Sequence, residues 1–160
     1  MRIVAVGNPF CGDDGVGAAV LERIRAEGLF PGAELIDAGT DALSLLDRFA
    51  ETGAAERLHI IIDAAKMGCE PGRVVGFAPA EARRRIVWDR LSLHGLGLAE
   101  AFALAEGLGA MPRRVVVVGV EPTEVRMDRG LSDAVAAAVP EVIRLIRAEV
   151  RADEADHTGH

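Results

Sequence analysis

Disulfide staples are the first thing this chain does without. Its two cysteines, Cys11 and Cys69, are too few to frame a fold of 160 residues. An excess of basic charge is also missing: the formal net charge is −7. That argues against a nucleic-acid binder, which carries a basic face. No apolar run approaches the length of a bilayer span, and the longest, Ile60–Ile62 and Val115–Val118 with their neighbours, fall far short. The opening residues Met-Arg-Ile-Val-Ala-Val-Gly lack the charged start, long apolar stretch and small-residue cleavage site of a secretory signal. There is no repeat, linker or second domain to read. The expectation is a cytoplasmic protein with no membrane and no nucleic-acid partner, and a monomer by default because no exposed apolar patch stands out.

What is present is ample apolar material. Half the residues are hydrophobic and 27% are charged, so a single core can form. A chain of this size buries roughly 70% of its unfolded surface without staples. Short Val- and Ile-rich runs alternate with helix-period segments, the pattern of an α/β sheet. Arg2–Gly7 reads as a first strand, followed by a loop and a helix from near Asp13 with Val16, Val20 and Ile24 on one face. Ala33–Ala38 reads as a second strand and Asp41–Glu51 as a second helix. Leu58–Ala64 is apolar without alternation, as a strand covered on both faces should be. Arg73–Phe77 follows the turn Glu70-Pro71-Gly72, which is too short for a helical crossover, so this strand is expected to run antiparallel. Pro79–Arg90 is ambiguous between a short helix and a loop, Gly95–Gly107 reads as a helix, and Arg114–Val120 as the last strand. Ser132 is placed to cap a final helix, which Pro140 should kink or split. A domain over 1–150 and a flexible polar tail over 151–160 follow.

Open, mostly parallel sheets bind ligands beyond the carboxyl ends of their strands. Three polar loops follow strands here: Gly7 to Gly15 with Asp13 and Asp14, Asp37 to Thr40, and Asp63 to Ala65. If these strands are parallel neighbours, their carboxylates converge on one rim. Crowded like charges repel, so such a cluster favours a cation or shared protons. His94, in Ser92-Leu93-His94-Gly95, lies at the expected start of a helix, where the positive helix end keeps an imidazole neutral and able to bind metal. A mixed oxygen and nitrogen set suits zinc, nickel or manganese better than calcium. Each residue also has a plainer role. Asp13 or Asp14 could cap the first helix, Asp37 could close a local turn, His94 could be a surface residue, and His59 reads as structural or exposed.

In chain order, Gly7-Asn8, Gly12-Asp13-Asp14-Gly15-Val16-Gly17, Ile36-Asp37-Ala38-Gly39-Thr40, Ile62-Asp63-Ala64, Pro71-Gly72, Ser92 to Leu98, Val118 to Pro122 and Gly130-Leu131-Ser132 resemble the signature of the hydrogenase maturation proteases. The resemblance runs to about Val150. It implies a single three-layer α/β domain: a five-stranded, twisted, mostly parallel sheet with one antiparallel strand and helices on both faces. It also implies an endopeptidase that removes the C-terminal extension of a nickel–iron hydrogenase large-subunit precursor after nickel insertion. Carried over residue by residue, Asp14, Asp63 and His94 would be the metal ligands, and Asp37 an acidic position linked to activity in an unspecified role. The nickel would be borne by the substrate, and the free protein would hold another divalent metal or none.

Two other readings share these residues. A nickel-binding or assembly chaperone would keep Asp14, Asp63 and His94 without proteolysis, and catalytic turnover separates it from a protease. A nucleotide-binding module is disfavoured because Gly12, Gly15 and Gly17 have the wrong spacing and two aspartates would face the phosphates. Cys11 and Cys69 are expected to be packing residues, the sharper alternative being a soft ligand or a redox pair near the site.

Overall fold

The computed structural model describes residues 1–87, 97–127 and 129–159. Five strands form one sheet: β1 (Arg2–Ala5), β2 (Glu34–Asp37), β3 (Leu58–Ala64), β4 (Val74–Phe77) and β5 (Arg114–Val120). Their spatial order is β2-β1-β3-β5-β4. All neighbours are parallel except β4, which runs antiparallel to β5 from Val74 opposite Val120 to Phe77 opposite Val117. The expected antiparallel strand is therefore present, and the turn at Gly72 is held by its N–H donating to the carbonyl of Glu121 at 2.8 Å.

Among the described residues five α-helices flank the sheet: α1 (Val16–Glu27), α2 (Ser44–Ala50), α3 (Ala82–Arg85), α4 (Leu98–Gly107) and α5 (Asp133–Thr158). Strand side chains alternate between faces, and each face of this sheet finds a different set of helices. Ile60 and Ile62 of β3 point into a cluster with Val16, Val20 and Ile24 of α1 and Val135, Val142 and Ile146 of α5. Ile61 points the other way, to Leu45 and Phe49 of α2 and Ala101 and Phe102 of α4. That two-sided burial is why β3 reads as an unbroken apolar run. His59 on the same strand is fully buried. One ring nitrogen, Nε2, lies 2.9 Å from the carbonyl of Ala54, and the ring stands edge-on to Phe49 at 5.3 Å. It is structural. Arg2, opposite His59 in the β1–β3 register, closes the same end of the sheet: its guanidinium is buried and donates to Glu34 at 2.7 Å, to the Arg48 carbonyl at 2.7 Å, and to Glu51.

Three expectations need correction. The helix expected near Asp13 starts as a 3-10 turn over Gly12–Gly15 and becomes α-helical at Val16. Pro140 does not split the last helix, which is continuous across it. The missing N–H leaves the carbonyl of Ala136 unmatched, but Ala136 and Pro140 both face solvent, where water can serve. The end expected to fray instead continues α5 to Thr158, where Arg114 reaches Asp153 at 3.2 Å and Asp156 at 3.1 Å. Among the described residues no helix is long and apolar enough to cross a membrane.

Candidate active site

The chain leaves β1, passes through α1 to β2 on one side, then crosses back to place β3 on the other side of β1. The carboxyl ends of β1 and β3 therefore border the point where the strand order reverses, the place where an open α/β sheet leaves a crevice. Asp14 comes from the loop after β1, and Asp63 is the penultimate residue of β3. These two lie close enough for one charge to act on the other. Asp63 is half-buried, and enclosure of its carboxyl, followed by the negative charge of Asp14, raises its pKa well above the ordinary aspartate value.

Local backbone chemistry puts Asp14 there. The Asn8 N–H donates to Asp14 Oδ2 at 2.7 Å, and Asn8 Oδ1 accepts from the Phe10 N–H at 2.9 Å. Gly7 has a φ of 130°, and a Cβ on it would stand 2.1 Å from the Asp14 carbonyl oxygen. Only glycine lets the first loop fold this tightly over the 3-10 turn. Behind it, Gly17 brings α1 against the sheet: a Cβ there would lie 2.9 Å from the Ala5 Cβ and 3.1 Å from the Ile62 carbonyl oxygen. The helix carrying Asp14 at its entrance is thus pressed onto β1 and β3.

Asp37 ends β2, on the far side of β1 from β3, so two strand spacings, roughly 10 Å, separate its backbone from that of β3. Its Oδ1 accepts the Gly39 N–H at 2.9 Å, the local turn anticipated for it. The turn still bears on the site, because the Gly39 carbonyl accepts from the Gly7 N–H at 2.7 Å. His94 lies outside the described residues, and α4 begins at Leu98 after Gly97. Among the described residues no three His, Cys, Asp or Glu side chains are grouped closely enough to hold a metal ion. Asp14 and Asp63 thus offer two of the donors a divalent ion needs, and their mutual repulsion is what a cation between them would relieve.

Two buried acids hold the rim in shape. Asp13 is fully buried. Its Oδ2 accepts from the N–H groups of Thr123 at 2.7 Å and Glu124 at 3.2 Å and from the Ser132 hydroxyl at 2.9 Å, and its Oδ1 accepts from the Ser132 N–H at 2.7 Å. It therefore caps no part of α1. It ties the loop after β5 to the loop after β1. Glu121, also buried, accepts from the N–H groups of Met67 at 2.6 Å and Cys69 at 3.3 Å, fixing the loop that follows Asp63. Sequence reading gave neither acid this task, although Glu121-Pro122 directly after an apolar strand is a visible signal. Ser132 does cap α5, its Oγ accepting from the Val135 N–H at 3.4 Å. Cys11 is buried with its Sγ 2.9 Å from Met127 Sδ, as a packing residue should be, whereas Cys69 is exposed and does not pack as expected, although Glu121 accepts from its N–H.

Comparison with known proteins agrees with this architecture. Residues 18–149 match the family described as hydrogenase maturation protease. The hydrogenase expression/formation protein HupM of Azotobacter chroococcum is 32% identical over 123 residues, covering 76% of this chain and 57% of its own length. This chain thus spans little more than half of that curated relative. The hydrogenase 2 maturation protease of Escherichia coli is 26% identical, with 93% of this chain and 89% of that protein aligned. The solved structure of the hydrogenase maturating endopeptidase HybD from Escherichia coli superposes with a TM-score of 0.73 at 28% identity, covering 94% of this chain and 93% of that one. With the sheet order, the Asp14–Asp63 crevice and these matches together, the chain belongs to the hydrogenase maturation protease family.

Proposed function

We propose that this protein is an endopeptidase that removes the C-terminal extension of a nickel–iron hydrogenase large-subunit precursor once nickel is in place. The observation that carries the reading is the meeting of Asp14 and Asp63 in the crevice between β1 and β3. Two carboxylates, one of them raised in pKa by enclosure and repulsion, form an unfinished binding set that a cation presented by another molecule would complete. His94 supplies the nitrogen donor of that set. The nickel is part of the substrate, and a precursor without it leaves the two acids in mutual repulsion and is not engaged.

In this reading the chain's own residues do three things. Asp14 and Asp63 orient the loaded precursor so that its scissile peptide bond lies over the crevice. Asp37 is a positioning residue, holding the Gly39 turn against Gly7 and so the loop that presents Asp14. A carboxylate at the rim accepts a proton from the attacking water. The protein acts as a monomer in the cytoplasm.

The test uses purified protein with nickel-loaded and nickel-free precursor, following loss of the extension by mass spectrometry. Multiple turnovers on loaded precursor, and none by Asp63→Asn or His94→Ala, are expected. Equal processing of nickel-free precursor removes the gating role. Stoichiometric binding without cleavage replaces the protease with an assembly chaperone.

A further inference from the structure

Six large apolar side chains are well exposed among the described residues: Phe10, Val87, Leu104, Leu108, Val125 and Met127. Three of them share one place. Phe10 is 71% exposed, Met127 66% and Val125 50%. Their two loops are joined: the Gly12 N–H donates to the Arg129 carbonyl at 2.9 Å, the Asp13 N–H to the Glu124 carbonyl at 3.3 Å, and Cys11 Sγ touches Met127 Sδ. Buried Asp13 locks the arrangement from beneath. These side chains are therefore held in water by a fixed backbone rather than left there by a loose one. An apolar group kept outward at the edge of a crevice marks a contact surface.

We propose that Phe10, Val125 and Met127 form the docking strip for the precursor polypeptide, taking apolar side chains that adjoin its scissile bond. This rests on the protease reading above. The strip is continuous with the crevice, since Asn8, whose N–H holds Asp14, also fixes the Phe10 turn. A polypeptide cut over Asp14 and Asp63 must leave the crevice across one of its edges, and among the described residues this edge carries three exposed apolar side chains. Charge around Val125 is balanced: Glu124 and Arg126, on either side of it, face each other at 3.6 Å. A neutral strip with an aromatic and a thioether accepts aliphatic or aromatic side chains and adapts to their shape.

The experiment compares wild type with Phe10→Asp, Val125→Asp and, as control, Leu108→Asp. Leu108 is 67% exposed but follows α4 at the opposite end of the sheet. Thermal unfolding confirms that each variant folds. Processing kinetics on nickel-loaded precursor should show KM raised roughly tenfold or more for the two strip variants, with kcat within about twofold and the control unchanged. An unchanged KM in both strip variants, or the same rise in Leu108→Asp, overturns the proposal. Should wild type bind precursor without cleaving it, the protease reading fails alone. The same variants then report through Kd, where loss of affinity upholds the strip and equal affinity rejects it.

Discussion

Removing the Asp13 carboxylate should cost this protein a large share of its stability. In Asp13→Ala the N–H groups of Thr123, Glu124 and Ser132 lose their acceptor, and so does the Ser132 hydroxyl, in a region where Asp13 itself has no solvent contact. A stranded buried donor costs about 1–3 kcal/mol. Water entering the small void would satisfy some of them, and the Ser132 hydroxyl keeps Thr123 Oγ1 as a partner, so the low end applies, and the three N–H donors give roughly 3 kcal/mol. For a domain of this size that corresponds to a fall in Tm of roughly 6–12 °C. Asp13→Asn should lie between, because one amide oxygen can keep some of the donors that now meet Oδ2 while the amide NH2 opposes the rest. Urea unfolding followed by circular dichroism would give both values, with the same slope for all three proteins. A loss below about 1 kcal/mol for the alanine variant would mean that the loop after β5 does not depend on Asp13.

Other changes separate site from scaffold. Gly7→Ala introduces a Cβ into the Asp14 carbonyl at a φ of 130°; a stability loss on the order of 3 kcal/mol and slower processing are expected, and a wild-type unfolding midpoint would contradict the close approach. Asp63→Asn should abolish processing yet raise Tm at neutral pH. Enclosure and the Asp14 charge raise the native pKa of Asp63, so its ionisation disfavours the folded state above the unfolded pKa, and the neutral amide is spared that effect. A lower Tm would show that the carboxylate is stabilising instead. Burial lowers the pKa of His59 below its usual 6.5. The unfolded chain then takes up a proton that the native state refuses, and stability should fall as pH drops below about 6.5. His59→Phe should shed that part of the pH dependence, and identical slopes between pH 7.5 and 5.5 would refute the assignment.

Much of this architecture was legible because it rests on local pattern. Leu58–Ala64 and Arg114–Val120 have the same bounds in sequence and structure, since each is an apolar run that begins and ends against polar residues. Where side chains compete with the helix, bounds moved: Asp41 Oδ1 accepts the Leu43 N–H at 3.0 Å, and the turn so formed delays α2 to Ser44. The meeting of Asp14 with Asp63 followed from parallel strands ending at one rim. The placement of Asp37 on the far side of β1 from β3 did not, because it depends on which side of β1 receives β2. Asp13 and Glu121 were opaque for a different reason. Their partners are backbone N–H groups far along the chain, Thr123 and Ser132 for one and Met67 for the other, and an N–H leaves no trace in residue identity.

That same anonymity has a consequence for descent. Because Asp13 and Glu121 hold the rim mainly by main-chain amides, most side chains on the gripped loops are spectators to the grip. Residues such as Cys69 and Glu124 can be exchanged while the carboxylates keep their hold. The protein resembles a lathe with a fixed chuck and replaceable jaws: the rim that carries Asp14 and Asp63 stays centred, and the surface around it can be recut. A lineage that needed a different surface at this rim would not have to rebuild the sheet.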